Sequence, residues 1–413
     1  MAISDLKSSS EPAIEVLRKF HSENEWDRRS FSAESIGNHP KPSSVLLGDS
    51  DLSLIVAEAD QIRESEEWRD IFTREFKIPN TWWSPACRRS NGYFGHENTQ
   101  NADGSLNGCN SWLKAQVKQT HEATPKGQKD YIWYKFNIFV RWIAATKQTV
   151  LLIFDPTPAV RKRLLRADLY KVDVIARNDP YWIYSILLEE LVDLQDKAVW
   201  GIRNIVRQTE LLRSAPGAPQ SEFTRLHDMA RHAIHVSETL DVTVTTIETI
   251  ATCHDTYVRS SFVTDEQTRN AHSTLRSRIQ FHNHMIRSLR YRAASNKERL
   301  SNEIQYVFNA VTQYNSRISV EIGRAAQSDS AAMKTIAFLT LTFLPATYVC
   351  AVFSMSFFNY NPESETWKVS KEFWLYWVVA IPITVATALT WSFWNKYSPQ
   401  KLIGDTARMV EAD

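Results

Sequence analysis

The sequence predicts an α/β or α+β cytoplasmic domain that continues through a long stalk helix into two C-terminal transmembrane helices. Three observations carry this expectation. The 24 residues from Thr335 to Phe358 contain no charge, and neither do the 22 from Phe373 to Trp394; a bilayer crossing needs about 20 such residues. Upstream, no proline interrupts the chain between Thr264 and Leu344, and apolar residues step along it by threes and fours. The first 175 residues instead hold short apolar runs rich in β-branched and aromatic residues, separated by turns.

In residues 1–175, "SVLLGDSDLSLIVAEAD", "YIWYKFNIFVRWIAA" and "TVLLIFDPT" read as strands mixed with short helices. "NGYFGHENTQNADGSLNGCNSW" reads as a turn-rich surface loop, because glycine and asparagine set turns. The opening "MAISDLKSSSEPAIEVLRKF" has no apolar core and carries Asp5 and Glu11, so neither a signal peptide nor a transit peptide is evident. This domain is expected in the cytosol.

Composition narrows the function classes. With 413 residues, 43% hydrophobic and 23% charged, the chain can bury a core, and a net charge of +1 offers no basic field for nucleic acid. The four cysteines, Cys87, Cys109, Cys253 and Cys350, form no CxxC pair. That disfavours a disulfide framework or a thiolate zinc site and predicts free, mostly buried thiols. There is no P-loop, GxGxxG, GxSxG or HExxH. His227, His232 and His235 share a helical segment with only Asp228 as company and read as surface-helix residues, and His282 and His284 point to different faces, so no metal site is expected at either. No catalytic constellation and no organic cofactor site is expected.

Residues 176–263 read as antiparallel helices. "DPYWIYSILLEELVDLQDKAVWGIRNIVRQTELL" begins with Asp179 as an N-cap and Pro180 at the first helical position. "SEFTRLHDMARHAIHVSETLDVTVTTIETIATCHDTYV" follows the loop "RSAPGAPQ". The stalk, 264–334, carries a coiled-coil-like seam at Leu275, Ile279, Ile286, Leu289, Ala293, Leu300, Ile304, Val307, Val311, Tyr314, Ile318, Ile322 and Ala325, with His282 and either Asn296 or Lys297 filling gaps. From Thr264 to Phe353 one helix would extend on the order of 135 Å.

The same stepping enters the first span, 335–358, through Met333, Ile336, Thr340, Leu344, Thr347, Ala351 and Ser354. Small and hydroxyl residues on one face suit tight helix contacts in a membrane or a water-filled lining, and the pattern leaves both open. Pro345 and Pro382 read as kinks within the spans. An external loop, 359–372, carries Glu363, Glu365 and Glu372 against Lys368 and Lys371. The second span, 373–395, is flanked by Trp374, Tyr376 and Trp377 at one end and Trp391, Trp394 and Tyr397 at the other, an aromatic belt. Arg324 and Lys334 before the spans and Lys396 and Lys401 after them, the last two in a 396–413 tail, place both termini on the cytoplasmic side.

The segment "MKTIAFLTLTFLPATYVCAVFSMSFF", with two C-terminal spans, a short acidic connector and a membrane-entering helix, resembles the CorA-like divalent-cation (magnesium) transporters; "DPYWIYSILLEELVDLQDKAVWGIRNIVRQTE" is similar to a helix of the fungal-type, divergent members. The resemblance implies a homopentamer in lipid, with five first spans around a pore and Mg²⁺ both as cargo and as a regulatory ion. It makes Thr340, Leu344, Thr347, Ala351 and Ser354 pore-lining, and Met333 and Ile336 a cytoplasmic constriction. A hydrated ion would then meet Thr347, Ser354 and Ser356, with Glu363 and Glu365 beyond. Where the family has Tyr-Gly-Met-Asn at the mouth, this chain has Phe353-Ser354-Met355-Ser356. A serine hydroxyl is shorter than an asparagine amide and lacks its paired donor and acceptor, and Ser354 replaces a glycine whose freedom permits the turn out of the helix. That departure admits two alternatives, a transporter of Zn²⁺, Co²⁺ or Ni²⁺ and a non-transporting membrane scaffold. The plasma membrane or vacuole is expected rather than mitochondria.

Overall fold

The computed structural model describes residues 13–20, 26–32, 36, 46, 48–120, 130–166, 170, 173–211, 223–260, 265–363 and 365–397. Two compact units result, residues 1–215 with 220–307, and residues 216–219 with 308–413.

The first unit is built on a seven-stranded sheet. Its strands are β1 (Ala13–Lys19), β2 (Asp27–Ser32), β3 (Leu52–Ala57), β4 (Gly92–Gln100), β5 (Leu106–Thr120), β6 (Tyr131–Ile143) and β7 (Thr149–Phe154). Their order is β2-β1-β3-β7-β6-β5-β4, with β3 and β7 parallel and every other pair antiparallel. All six residues of β7 are buried, as expected for a central strand covered on both faces. Alternation sends Leu151 and Ile153 to one face and Val150, Leu152 and Phe154 to the other.

On the second of these faces lie α1 (Ala59–Glu64) and α2 (Glu66–Phe76), contributing Ile62, Trp68, Ile71, Phe72 and Phe76. Ser65 caps α2 by accepting from the Trp68 amide at 3.3 Å. Two short helices, α3 (Pro85–Arg89) and α4 (Pro158–Leu164), each start with proline at the first position. The opposite face is covered by α5 (Tyr184–Leu211), α6 (Phe223–Ser260) and the first part of α7 (Glu266–Phe357). The result is a three-layer arrangement of helices, mixed sheet and helices.

Cross-helix pairs fix the directions of these helices. Arg276 with Asp255, Arg287 with Glu248 and Arg290 with Asp241 descend along α6 as they ascend along α7, so those two run antiparallel. Asn296 donates to the Val199 carbonyl at 3.2 Å and Arg299 pairs with Glu210, ascending on both, so α5 runs parallel to α7. The seam residues Leu275, Ile279, Ile286, Leu289, Ala293 and Leu300 are buried, as are the gap residues His282 and Asn296.

Three expectations need correction. "NGYFGHENTQNADGSLNGCNSW" is the β4–β5 hairpin and not a surface loop. Its turn is 101–105, where the Asp103 carboxylate accepts from the Ser105 amide at 2.9 Å and Gly104 takes φ +82°. The glycines inside the strands serve close approach: a Cβ on Gly108 would lie 2.5 Å from the Trp142 carbonyl oxygen. Asp179 does not cap α5, which begins at Tyr184 after a series of tight turns. Cys109 and Cys253 are buried, but Cys87 is half-buried and Cys350 exposed.

The second unit contains the rest of α7, a hairpin of β8 (Phe358–Asn361) and β9 (Thr366–Val369), and α8 (Trp374–Tyr397). The connector between the two apolar helices is a short antiparallel ribbon. Gly108→Ala is expected to destabilise the protein by about 1–3 kcal/mol through overpacking against backbone that cannot yield. A lowered melting temperature of the purified protein checks this, and an unchanged one contradicts it.

Candidate functional site

Helices α7 and α8 are long and apolar enough to cross a membrane. Their apolar side chains are not packed away as in a soluble core helix: Leu339, Phe343, Tyr348, Trp377, Val378, Ile381, Val385, Leu389 and Phe393 are all exposed. In hydrocarbon, backbone groups have no water to bond, so only a closed hydrogen-bonding scheme such as a helix is tolerated.

Within the second unit the two helices pack along one side of α7. The Phe338 and Trp391 rings lie 4.6 Å apart. The Tyr376 hydroxyl donates to the Ala346 carbonyl at 3.5 Å and accepts from the Cys350 thiol at 3.1 Å. Val349 is buried among them.

The other side of α7 carries the residues that the sequence singles out. Met333, Ile336 and Leu344 are 69%, 64% and 61% exposed, and Thr340, Thr347, Ala351 and Ser354 are exposed too. At about 100° per residue this set clusters in an arc centred about 180° away from Phe338 and Val349. Helix α8 thus leaves the small and hydroxyl face uncovered.

The hydroxyls on this face are committed to their own helix. Thr340 donates to the Ile336 carbonyl at 2.9 Å, Thr347 to the Leu344 carbonyl at 2.9 Å and Ser354 to the Ala351 carbonyl at 3.3 Å. Each proton is used internally, which suits a hydroxyl in an apolar medium. The oxygen lone pairs stay available, so the face is one of acceptors spaced seven residues apart.

The structure differs from the sequence reading at the outer end. Helix α7 continues through Ser354 to Phe357, so the chain does not turn out of the helix at Ser354. A serine supports helical backbone where a glycine would favour leaving it. The assignments resting on the Met355 and Ser356 side chains lie outside the described residues. Glu363 and Glu365 sit at the β8–β9 turn, both exposed. The Glu363 amide donates to the Asn361 side chain at 3.2 Å, and Glu365 takes a left-handed φ of 46°.

A second polar constellation, in the first unit, escaped the sequence reading. Asp179, His254 and His272 are all buried and converge on one carboxylate oxygen. They stand 75 and 93 positions apart, and no spacing rule joins residues brought together by tertiary packing. Among the histidines that the sequence singled out, His232 is buried and not a surface residue; it meets Asp130 at 3.2 Å and His235 meets Glu238 at 3.6 Å, which are pairs and not clusters.

No family model matches the chain. It is 28% identical over 290 residues to "Notoamide biosynthesis cluster protein M'" of Aspergillus versicolor, covering 67% of this chain and 61% of that protein. The chain thus spans about three-fifths of that relative's length. The full-length CmaX protein aligns over 94% of this chain and 98% of its own, at TM-score 0.41 and 14% identity. The ZntB cytoplasmic domain of Vibrio parahaemolyticus RIMD 2210633 covers 73% of this chain and 99% of its own (TM-score 0.37, 11% identity). The CorA magnesium transporter of Methanocaldococcus jannaschii covers 94% and 98% (TM-score 0.36, 10% identity).

Phe338→Ala removes the ring contact between α7 and α8, worth about 0.5–1.5 kcal/mol beyond its buried area. The expected result is a lower melting temperature in detergent, whereas Thr340→Val, which deletes only an internally bonded hydroxyl, is expected to melt like the parent.

Proposed function

We propose that this protein is a passive divalent-cation transporter whose pathway is lined by the uncovered face of α7, with Mg²⁺ as the favoured cargo. The observation that carries the reading is the row of hydroxyl oxygens at Thr340, Thr347 and Ser354, whose protons are tied to carbonyls of their own helix. A hydrated cation holds water oxygens inward and presents hydrogens outward. A wall of acceptors therefore binds the hydrated ion through its waters. Mg²⁺ dehydrates reluctantly and suits such a wall.

One chain supplies only one side of a pathway, so several copies must surround it. The stalk seam supports self-association: Tyr314, Ile318 and Ile322 continue the buried stripe of the first unit but are exposed in the second. A homopentamer, with these faces turned toward a common axis, fits the CorA-like resemblance of the α7 sequence. Met333 and Ile336 would form an apolar constriction that closes by excluding water. The driving force would be the membrane potential, roughly 4.6 kcal/mol for a divalent ion per 100 mV. Both termini would face the cytosol, at the plasma membrane or the vacuole.

A second reading follows from the mouth. Ser354 spends its proton on Ala351 within an unbroken helix, and the sequence there lacks the glycine and asparagine of the family it resembles. A membrane scaffold that assembles without conducting fits that departure. A transporter of Zn²⁺, Co²⁺ or Ni²⁺ would keep the pathway but change the ion.

Purified protein in liposomes holding a divalent-sensitive dye separates these readings. Potential-driven Mg²⁺ uptake that Thr347→Trp abolishes is the expected outcome; uptake of only Zn²⁺, Co²⁺ or Ni²⁺ reassigns the cargo. Absence of flux for every divalent ion from an intact oligomer sinks the transport reading. If a Ser354→Gly, Ser356→Asn double variant then gains uptake that the parent lacks, the scaffold reading stands.

A further inference from the structure

The first unit holds a polar knot that neither packing nor the transport reading uses. Asp179 lies in the turn before α5, His254 on α6 and His272 one and a half turns into α7. His254 Nε2 is 2.8 Å, and His272 Nδ1 2.5 Å, from the same oxygen, Asp179 Oδ2. The side chains are 2%, 1% and 4% exposed in the order Asp179, His254 and His272. The other carboxylate oxygen accepts from the Tyr181 amide at 2.8 Å, which fixes the plane of the carboxylate. Tyr181 packs edge-on against His254 at 5.7 Å and Tyr257 against His272 at 5.9 Å.

We infer that Asp179, His254 and His272 form a binding site for a d-block divalent cation, of the Zn²⁺ or Co²⁺ class, that pins the start of α7 to α6 and to the turn before α5. The argument is one of donor type, convergence and burial. Two imidazole nitrogens and one carboxylate oxygen are borderline ligands that suit Zn²⁺, Co²⁺, Ni²⁺ or Fe²⁺, while Mg²⁺ prefers an all-oxygen shell with water. The three ligand atoms lie within 4.8 Å of one another. Around an ion at about 2.0–2.2 Å from each, they would stand roughly 3.3 Å apart, so the two contacts to Asp179 Oδ2 would open by about 0.5–0.8 Å while the two imidazole nitrogens settle at that same separation.

The surroundings limit the ligand set to these three. Among the described residues, Asp179, His254 and His272 are the group of His, Cys, Asp and Glu side chains whose ligand atoms converge. No described lysine or arginine pairs with the Asp179 carboxylate, which is met by the two imidazoles, and a divalent ion would supply the compensating charge that a buried carboxylate needs.

A cleft of about 530 Å³ is lined by Ala176 and Trp182, each three positions from Asp179, and by Ala271 and Leu275, one and three positions from His272. None of the three ligands lines it and all are buried, so an ion entering from this cleft requires a local opening of the packing around them.

The test uses the full chain in detergent, stripped with a chelator and titrated with Co²⁺, read by visible d–d absorption and by metal content. One Co²⁺ per chain is expected, unaffected by excess Mg²⁺, displaced by Zn²⁺ and raising the melting temperature. His254→Gln and His272→Gln are each expected to weaken binding by more than the roughly 10–100-fold that loss of a ligand's hydrogen-bond partner costs. His235→Gln, a surface control, should leave it intact. If the ligand variants do not fold, X-ray absorption of the Zn²⁺-loaded parent must still count two imidazole nitrogens. No Co²⁺ bound by the folded parent, binding that survives loss of both histidines, or a Zn²⁺ shell without two imidazoles overturns the inference and leaves Asp179–His254–His272 a hydrogen-bonded triad.

Discussion

The constraint on which the second unit depends is that a peptide group in hydrocarbon must find its hydrogen bonds within the protein. Helices α7 and α8 meet it with their own ladders, and the same rule governs their polar side chains. Thr340, Thr347 and Ser354 turn their protons back onto Ile336, Leu344 and Ala351, and Tyr376 gives its proton to Ala346. Once the protons are used, only lone pairs remain on the open side of α7. A face shaped by the cost of unmet donors thereby becomes a face of acceptors, which is the chemistry that a hydrated cation needs.

Desolvation acts in the first unit too. The sheet is covered on both faces, and several polar groups packed against it are paired: Trp182 donates to Thr149 at 2.8 Å, the Tyr184 hydroxyl to Ser111 at 2.7 Å, and Gln148 to the Ser50 carbonyl at 2.7 Å. The Asp179 knot belongs to this pattern but differs in joining three separate elements. One of its members, His272, lies near the start of α7, the helix that also carries Thr347 and Ser354.

Much of this was legible in the sequence because it follows from local periodicity. The charge-free runs, the three-and-four stepping from Leu275 to Leu300 and the period-two strands each report a face that must be buried or must avoid water. The hydroxyl face of α7 was legible for the same reason. The β4–β5 hairpin was not, because Gly95 and Gly108 serve cross-strand approach to Trp112 and Trp142, and a glycine that admits a neighbour looks in sequence like one that makes a turn. The end of α7 was misjudged at Ser354, where comparison with a glycine-bearing motif suggested a turn that serine does not require. The Asp179–His254–His272 knot left no signal, since its members lie on three elements whose packing sets the distance.

The central claim is that the Thr340–Leu344–Thr347–Ser354 face of α7 borders water while the Phe338–Val349 face borders protein. Cysteines introduced one at a time into a Cys350→Ala background, probed in liposomes with a charged, membrane-impermeant thiol reagent and compared with labelling of that background at Cys87, Cys109 and Cys253, test it most directly. Thr347→Cys and Leu344→Cys are predicted to be modified, and to be protected by high Mg²⁺, while Val349→Cys stays unmodified. Equal inertness of Thr347→Cys and Val349→Cys in correctly assembled protein would contradict the account.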